Sequence, residues 1–202
     1  HMAKPRMSDD APAAKNERKT HVRIVTQKQL EEISQFFEET QATARKSFER
    51  DGVCVPVAIF RCDGQNIVLP LHRIINHKEA AAKVLNKLIE ELRPLAFIFV
   101  TEAWMARAKT DPASVTAGRD DLERTYGGSL TATAPDGSHR PKEGVTEAVM
   151  LQCCAVTGEN FTVTADIVRN GAKPVLKPWE RMENRGSVGR FIFDVVPLTE
   201  RQ

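Results

Sequence analysis

Two carboxylates stand out by the company they keep. Glu102 shares a strand face with Ile98, Val100 and Trp104 inside the most hydrophobic stretch of the chain, and Glu147 shares one with Val145, Val149 and Leu151. A carboxylate in such surroundings must be paired, hydrogen-bonded or protonated, because an isolated buried charge is very costly. If their strands were neighbours, Glu102 and Glu147 could converge with Asp166 or Asp194, and with His72 nearby, to hold a divalent cation. That set would support a metal-dependent hydrolase or nuclease, with Glu102 tuned as a general acid or base. The plainer alternative puts Glu102 near the end of its strand, in a salt bridge to an arginine such as Arg107. No acidic-x-Lys nuclease pattern accompanies either residue, since the text reads Glu-Ala-Trp and Glu-Ala-Val. His72 and His77 do not match the helical i, i+4 zinc pair. No Gly-x-Ser-x-Gly elbow and no phosphate-binding glycine loop occurs. No cofactor is therefore evident, and a divalent metal is the one the carboxylates would take.

A second candidate is electrostatic. Residues 169–190 hold Arg169, Lys173, Lys177, Arg181, Arg185 and Arg190 against Glu180 and Glu183, with Trp179 among them. Trp179 could stack on a base or pack a partner, with Lys177, Arg181 and Arg185 as its charged surround. Alternatively, a tryptophan between prolines folds back onto the sheet as a core anchor. The N-terminal segment to Arg23 is also basic, yet the whole chain carries a formal net charge of only +2. No global field points to nucleic acid or an anionic membrane, which makes nucleic-acid binding the weaker of the partner expectations.

The four cysteines offer no disulfide or metal framework. Cys54 and Cys62 lie roughly 26 Å apart if on one continuous strand. Cys153 and Cys154 are adjacent, so in a strand they point to opposite faces. No Cys-x-x-Cys pair exists. Buried free thiols in a reducing bacterial cytoplasm are the expectation. The composition, 41% hydrophobic and 28% charged, is that of an ordinary soluble globular protein. Nothing approaches a membrane span. His1-Met2 reads as a cloning scar, and no apolar signal-peptide core follows it.

The elements that would position these residues are legible in outline. Residues 1–20 lack apolar periodicity and are expected to form a disordered tail, leaving residues 21–202 as a single α+β domain. Thr26 and Gln29 make a capping-box signature. Leu30, Ile33, Phe37, Ala44 and Phe48 then share a helical face over residues 27–50, about 36 Å of helix that Gly52 terminates. Two strands follow, joined by Asp63-Gly64, a strong hairpin signal. Pro56 and Pro70 push that hairpin to one side of the sheet. Asn76, with Glu79, is expected to cap a second helix whose face carries Ala81, Val84, Leu85, Leu88, Ile89 and Leu92. Pro94 stops it. Residues 95–105 then run apolar on both faces, as a strand covered above and below must.

Residues 107–144 read as a long flexible loop, with a short helical stretch near residues 120–126. Residues 145–157 and 161–169 form a second hairpin. In its returning strand Phe161, Val163, Ala165 and Ile167 face one way, while Thr162, Thr164 and Asp166 should meet water or a polar cleft. A last strand is expected at residues 190–196. The order, helix, two strands, helix, strand, long loop, three strands, points to an α+β fold: a mainly antiparallel sheet of five to six strands packed against two helices. The preferred functional expectation is a non-enzymatic binding or assembly module, through a protein partner or self-association.

Overall fold

A computed structural model of the chain describes residues 25–75, 77–106, 123–127 and 129–183. The fold is α+β, with an antiparallel sheet at its centre. Helix α1 spans Gln27–Asp51, and strands β1 and β2 span Val57–Cys62 and Gln65–Pro70. Helix α2 spans Lys78–Leu92 and leads into β3, Ala96–Ala106. A small separate hairpin, β4 (Thr131–Thr133) with β5 (His139–Pro141), precedes β6 (Val145–Ala155) and β7 (Asn160–Val168). Two short strands, β8 (Val175–Leu176) and β9 (Glu180–Glu183), follow. The main sheet runs β2-β1-β3-β6-β7, with both β8 and β9 on the outer side of β7, and every pairing is antiparallel.

Helix α1 begins as its sequence requires. Thr26 accepts from the Gln29 backbone N–H at 3.3 Å, and the Gln29 side chain accepts from the Thr26 backbone N–H at 3.0 Å, closing the capping box. At the other end Gly52 adopts φ 73°, and its N–H reaches the Phe48 carbonyl at 2.7 Å. A side chain at this left-handed position would be strained and would also press on Pro174. Ile33, Phe36, Phe37 and Phe48 are the buried apolar residues of α1. The Phe37 ring meets Phe161 of β7 edge-on, centroids 5.2 Å apart. Glu32 fixes the helix to the first hairpin by accepting from Arg61 Nε at 2.7 Å and from the Gly64 N–H at 3.1 Å.

The hairpin closes with a two-residue loop, Cys62 pairing with Gln65 while Asp63 and Gly64 both take positive φ. That backbone twist matches the strands it joins. Strand β3 lies between β1 and β6, and its first six residues are buried on both faces. Ile98 and Phe99 are fully enclosed. Helix α2 contacts β1 and contributes the buried Ala81, Leu85 and Ile89.

Several expectations need correction. Helix α2 is capped by His77 without a side-chain bond, so it starts later than a cap at residue 76 implies; Asn76 itself lies outside the described residues. The helix ends on Arg93 in the left-handed region, directly before Pro94. The segment expected as one long loop contains the β4–β5 hairpin, whose turn at Pro135-Asp136-Gly137 places Gly137 at φ 79°. Strands of three residues are too short to register as alternation. The mainly antiparallel sheet is as expected, and it reaches seven described strands because β8 and β9 are drawn from the basic loop.

The polar face of β7 does not meet water. Thr164 is fully buried and Asp166 nearly so. Gln152 and Thr162 are cross-strand partners on the same side and each has an interaction of its own, whereas the buried Thr164 hydroxyl has no hydrogen-bond partner among the described residues. Alternation in sequence separates two faces; it does not say which of them a later part of the chain covers. The strand expected at residues 190–196, Arg107 and Arg185 lie outside the described residues.

Candidate functional site

The sheet brings Glu102 and Glu147 together. In the β3–β6 register Glu102 lies opposite Val149 and Trp104 opposite Glu147, so the carboxylates are diagonal neighbours on one face. What they meet is an arginine. Arg169, just past the end of β7, donates from Nε to Glu147 Oε2 at 2.7 Å and from Nη2 to Glu147 Oε1 at 2.8 Å. Its Nη2 also stands 3.8 Å from Glu102 Oε2. Glu102 accepts from the Cys54 backbone N–H through Oε1 at 2.5 Å. The two-pronged bond to Arg169 holds the Glu147 carboxyl below its ordinary range, although partial burial works the other way. The same pairing raises the Arg169 guanidinium.

Both carboxylates are thus supplied with donors. The cluster ties β3, β6, the end of β7 and the approach to β1 at one corner of the sheet. Burial, with the nearby Glu102 charge second, pushes the Cys54 thiol up to about 12, which leaves it protonated and unreactive at neutral pH. Burial raises the Cys153 thiol as well, and all four cysteines are free. Cys54 precedes β1 rather than lying on it, so it and Cys62 do not share a continuous strand.

His72 sits exposed in the turn after β2, and among the described residues no hydrogen bond or ion pair joins it to Glu102 or Glu147. No three His, Cys, Asp or Glu side chains among the described residues come together as a metal ion would need.

The described part of the basic loop, residues 169–183, is held against the body of the protein. Lys177 donates to Asp166 Oδ2 at 3.2 Å, and its backbone N–H reaches the Asp166 carbonyl at 2.9 Å. Arg181 stands 3.6 Å above the Phe161 ring. Trp179 is partly buried against the core, with the Arg45 guanidinium 5.3 Å from its ring. Arg45 also donates to the Leu176 and Lys177 carbonyls, at 3.1 and 2.6 Å, locking this loop to α1.

A concave feature lies elsewhere. Between the second half of α1 and the β1–β2 side of the sheet is an open groove of about 400 Å³. Its floor is apolar: Phe36 and Ala44 from α1, Val57, Ile59 and Val100 from the sheet. Val53, Val55 and Val68 form its lip and are 54%, 52% and 55% exposed, unusually open for valine. Polar groups, Glu39, Ser47, Arg50 and Asp51, lie on the helix side. Sequence reasoning missed this groove. Its signal was the Val53-Cys54-Val55 run between a helix stop and a strand, apolar residues in a connection where polar ones are usual.

Among the described residues no helix is long and apolar enough to cross a membrane. No protein-family model, curated protein or solved structure matches the chain.

Proposed function

We propose that this chain is a non-enzymatic binding or assembly protein whose contact surface is the apolar groove under α1 and the sheet edge beside it. The observation that supports this most directly is the groove itself, with three half-exposed valines on its lip. Clustered apolar exposure of this kind marks a recognition surface more often than an ordinary one. The acidic pair argues for a structural duty, because Arg169 and the Cys54 N–H already occupy its oxygens. Free cysteines suit a reducing compartment such as a bacterial cytoplasm.

An apolar fluorescent probe such as anilinonaphthalene sulfonate tests the groove. The folded protein should bind it saturably, and Val55→Asp should abolish that binding while the thermal unfolding midpoint stays close to the parent. Thermal shifts with Mg²⁺, Mn²⁺ and Zn²⁺ serve as the counter-test, since a specifically bound ion stabilises the folded state. A clear upward shift with one ion, lost in Glu102→Gln, would favour metal-dependent hydrolysis and overturn the binding reading.

A further inference from the structure

Among the described residues strand β2 is the outer edge of the sheet on its side, and its backbone geometry specifies what can pair with it. The Leu71 N–H bonds to the Pro56 carbonyl at 2.8 Å, which fixes the parity of the β1–β2 ladder. Together with the register, it directs the backbone groups of Gln65, Ile67 and Leu69 inward to β1, and those of Asn66, Val68 and Pro70 outward. Asn66 and Val68 each present an N–H and a carbonyl at the free edge, while Pro70 has no N–H to present. The strand reads Gln-Asn-Ile-Val-Leu-Pro, without a single charged side chain. Exposed edges are normally blunted by lysine, by bulges or by cover. Among the described residues this one has only its terminal proline.

We propose that the β2 edge is a self-association surface, on which a second copy of this chain pairs antiparallel about a two-fold axis at Ile67. The inference rests on reading the chain as a binding and assembly protein and names its partner. Centring on Ile67 sets Asn66 opposite Val68 of the other copy, and the reverse. Every outward N–H and carbonyl of those two residues is then bonded, and neither strand calls on the proline. Centring on Val68 instead would oppose Asn66 to Pro70 and leave a carbonyl unbonded on each side. On one face the Ile67 side chains meet across the axis, both 40% exposed in the isolated chain.

The charges agree with this register. The same register brings the Asp63 turn of one copy to the end of β2 in the other, next to the turn that holds the exposed His72 and Arg73. An acidic strand end meets a basic one, twice. Because the axis is perpendicular to the sheet, the two apolar grooves open side by side on the same face of one continuous sheet. An edge pairing of this size falls toward the small end of stable interfaces, so the dimer should be concentration-dependent.

Sedimentation equilibrium of the full chain tests it. The average mass should climb from 22.5 kDa toward twice that value between about 1 and 200 μM, the range expected of a small interface. Ile67→Lys should hold the protein monomeric by placing two ammonium groups together at the axis. Ile67→Glu should do the same, and an equimolar mixture of the two variants should dimerise again. Val84→Lys, an equally open position on α2, should leave the parent behaviour unchanged, and circular dichroism checks that each variant is folded. A parent chain that stays monomeric throughout this range overturns the proposal. So does a dimer indifferent to Ile67→Lys, or a mixture that fails to reassociate. The groove reading is judged separately, since probe binding and its loss in Val55→Asp do not depend on mass.

Discussion

Glu102, Glu147 and Arg169 show how a buried-looking carboxylate is made tolerable. Glu102 stands at the point where β3 passes from fully buried to half-open, and Glu147 emerges beside it from β6. Arg169 bonds one with both prongs and stands near the other. Removing the guanidinium with Arg169→Ala should cost about 1 kcal/mol at neutral pH, toward the upper range of exposed pairs because both prongs are bonded. The pH dependence has a definite sign. Glu147 is held below its unfolded value, so the pair's stabilisation is complete above the ordinary glutamate range, about 4.3. It is lost as pH falls through the lowered value. Chemical denaturation of parent and variant should therefore differ at pH 7 and converge in acid. That an arginine would answer Glu102 was legible in the sequence. Arg169 was not, because it arrives only through the β6–β7 hairpin; Arg107, five residues along the chain, lies outside the described residues.

At the scale of elements, local chemistry fixed most boundaries. The capping box at Thr26, the glycine stop at Gly52 and the Asp63-Gly64 turn occur where the residue types place them. Each depends on neighbours within four positions, so each could be read without the fold. Thr26→Ala should lower stability by about 1 kcal/mol, measured by denaturant midpoint, since the N-cap acceptor is removed. Helix α2 is the counter-example. Its cap residue, His77, makes no side-chain bond, and the helix draws its stability from burying Ala81, Leu85 and Ile89. Strands β8 and β9 were invisible for a related reason. With two and four residues they carry no period of their own, and pairing with β7 is what makes them strands.

At the scale of the whole molecule, α1 is the member that joins distant parts. Phe37 packs on Phe161, Glu32 holds the first hairpin, and Arg45 holds the Trp179 loop. Phe37→Ala should cost about 3–5 kcal/mol, detectable as a large drop in the unfolding midpoint, because it opens the contact between helix and sheet. The sequence by itself determined the α+β class, the central place of residues 95–105, the two hairpins and both ends of α1. These follow from period, capping and turn residues, which act over a few positions. Tertiary structure alone decided the rest. It set β6 beside β3 so that Glu102 and Glu147 meet, buried the polar face of β7, and left the β2 edge and its neighbouring groove uncovered by the described residues. Those outcomes depend on strand order and on a register in which one residue of slip exchanges the faces, and neither is encoded within any short stretch of the chain.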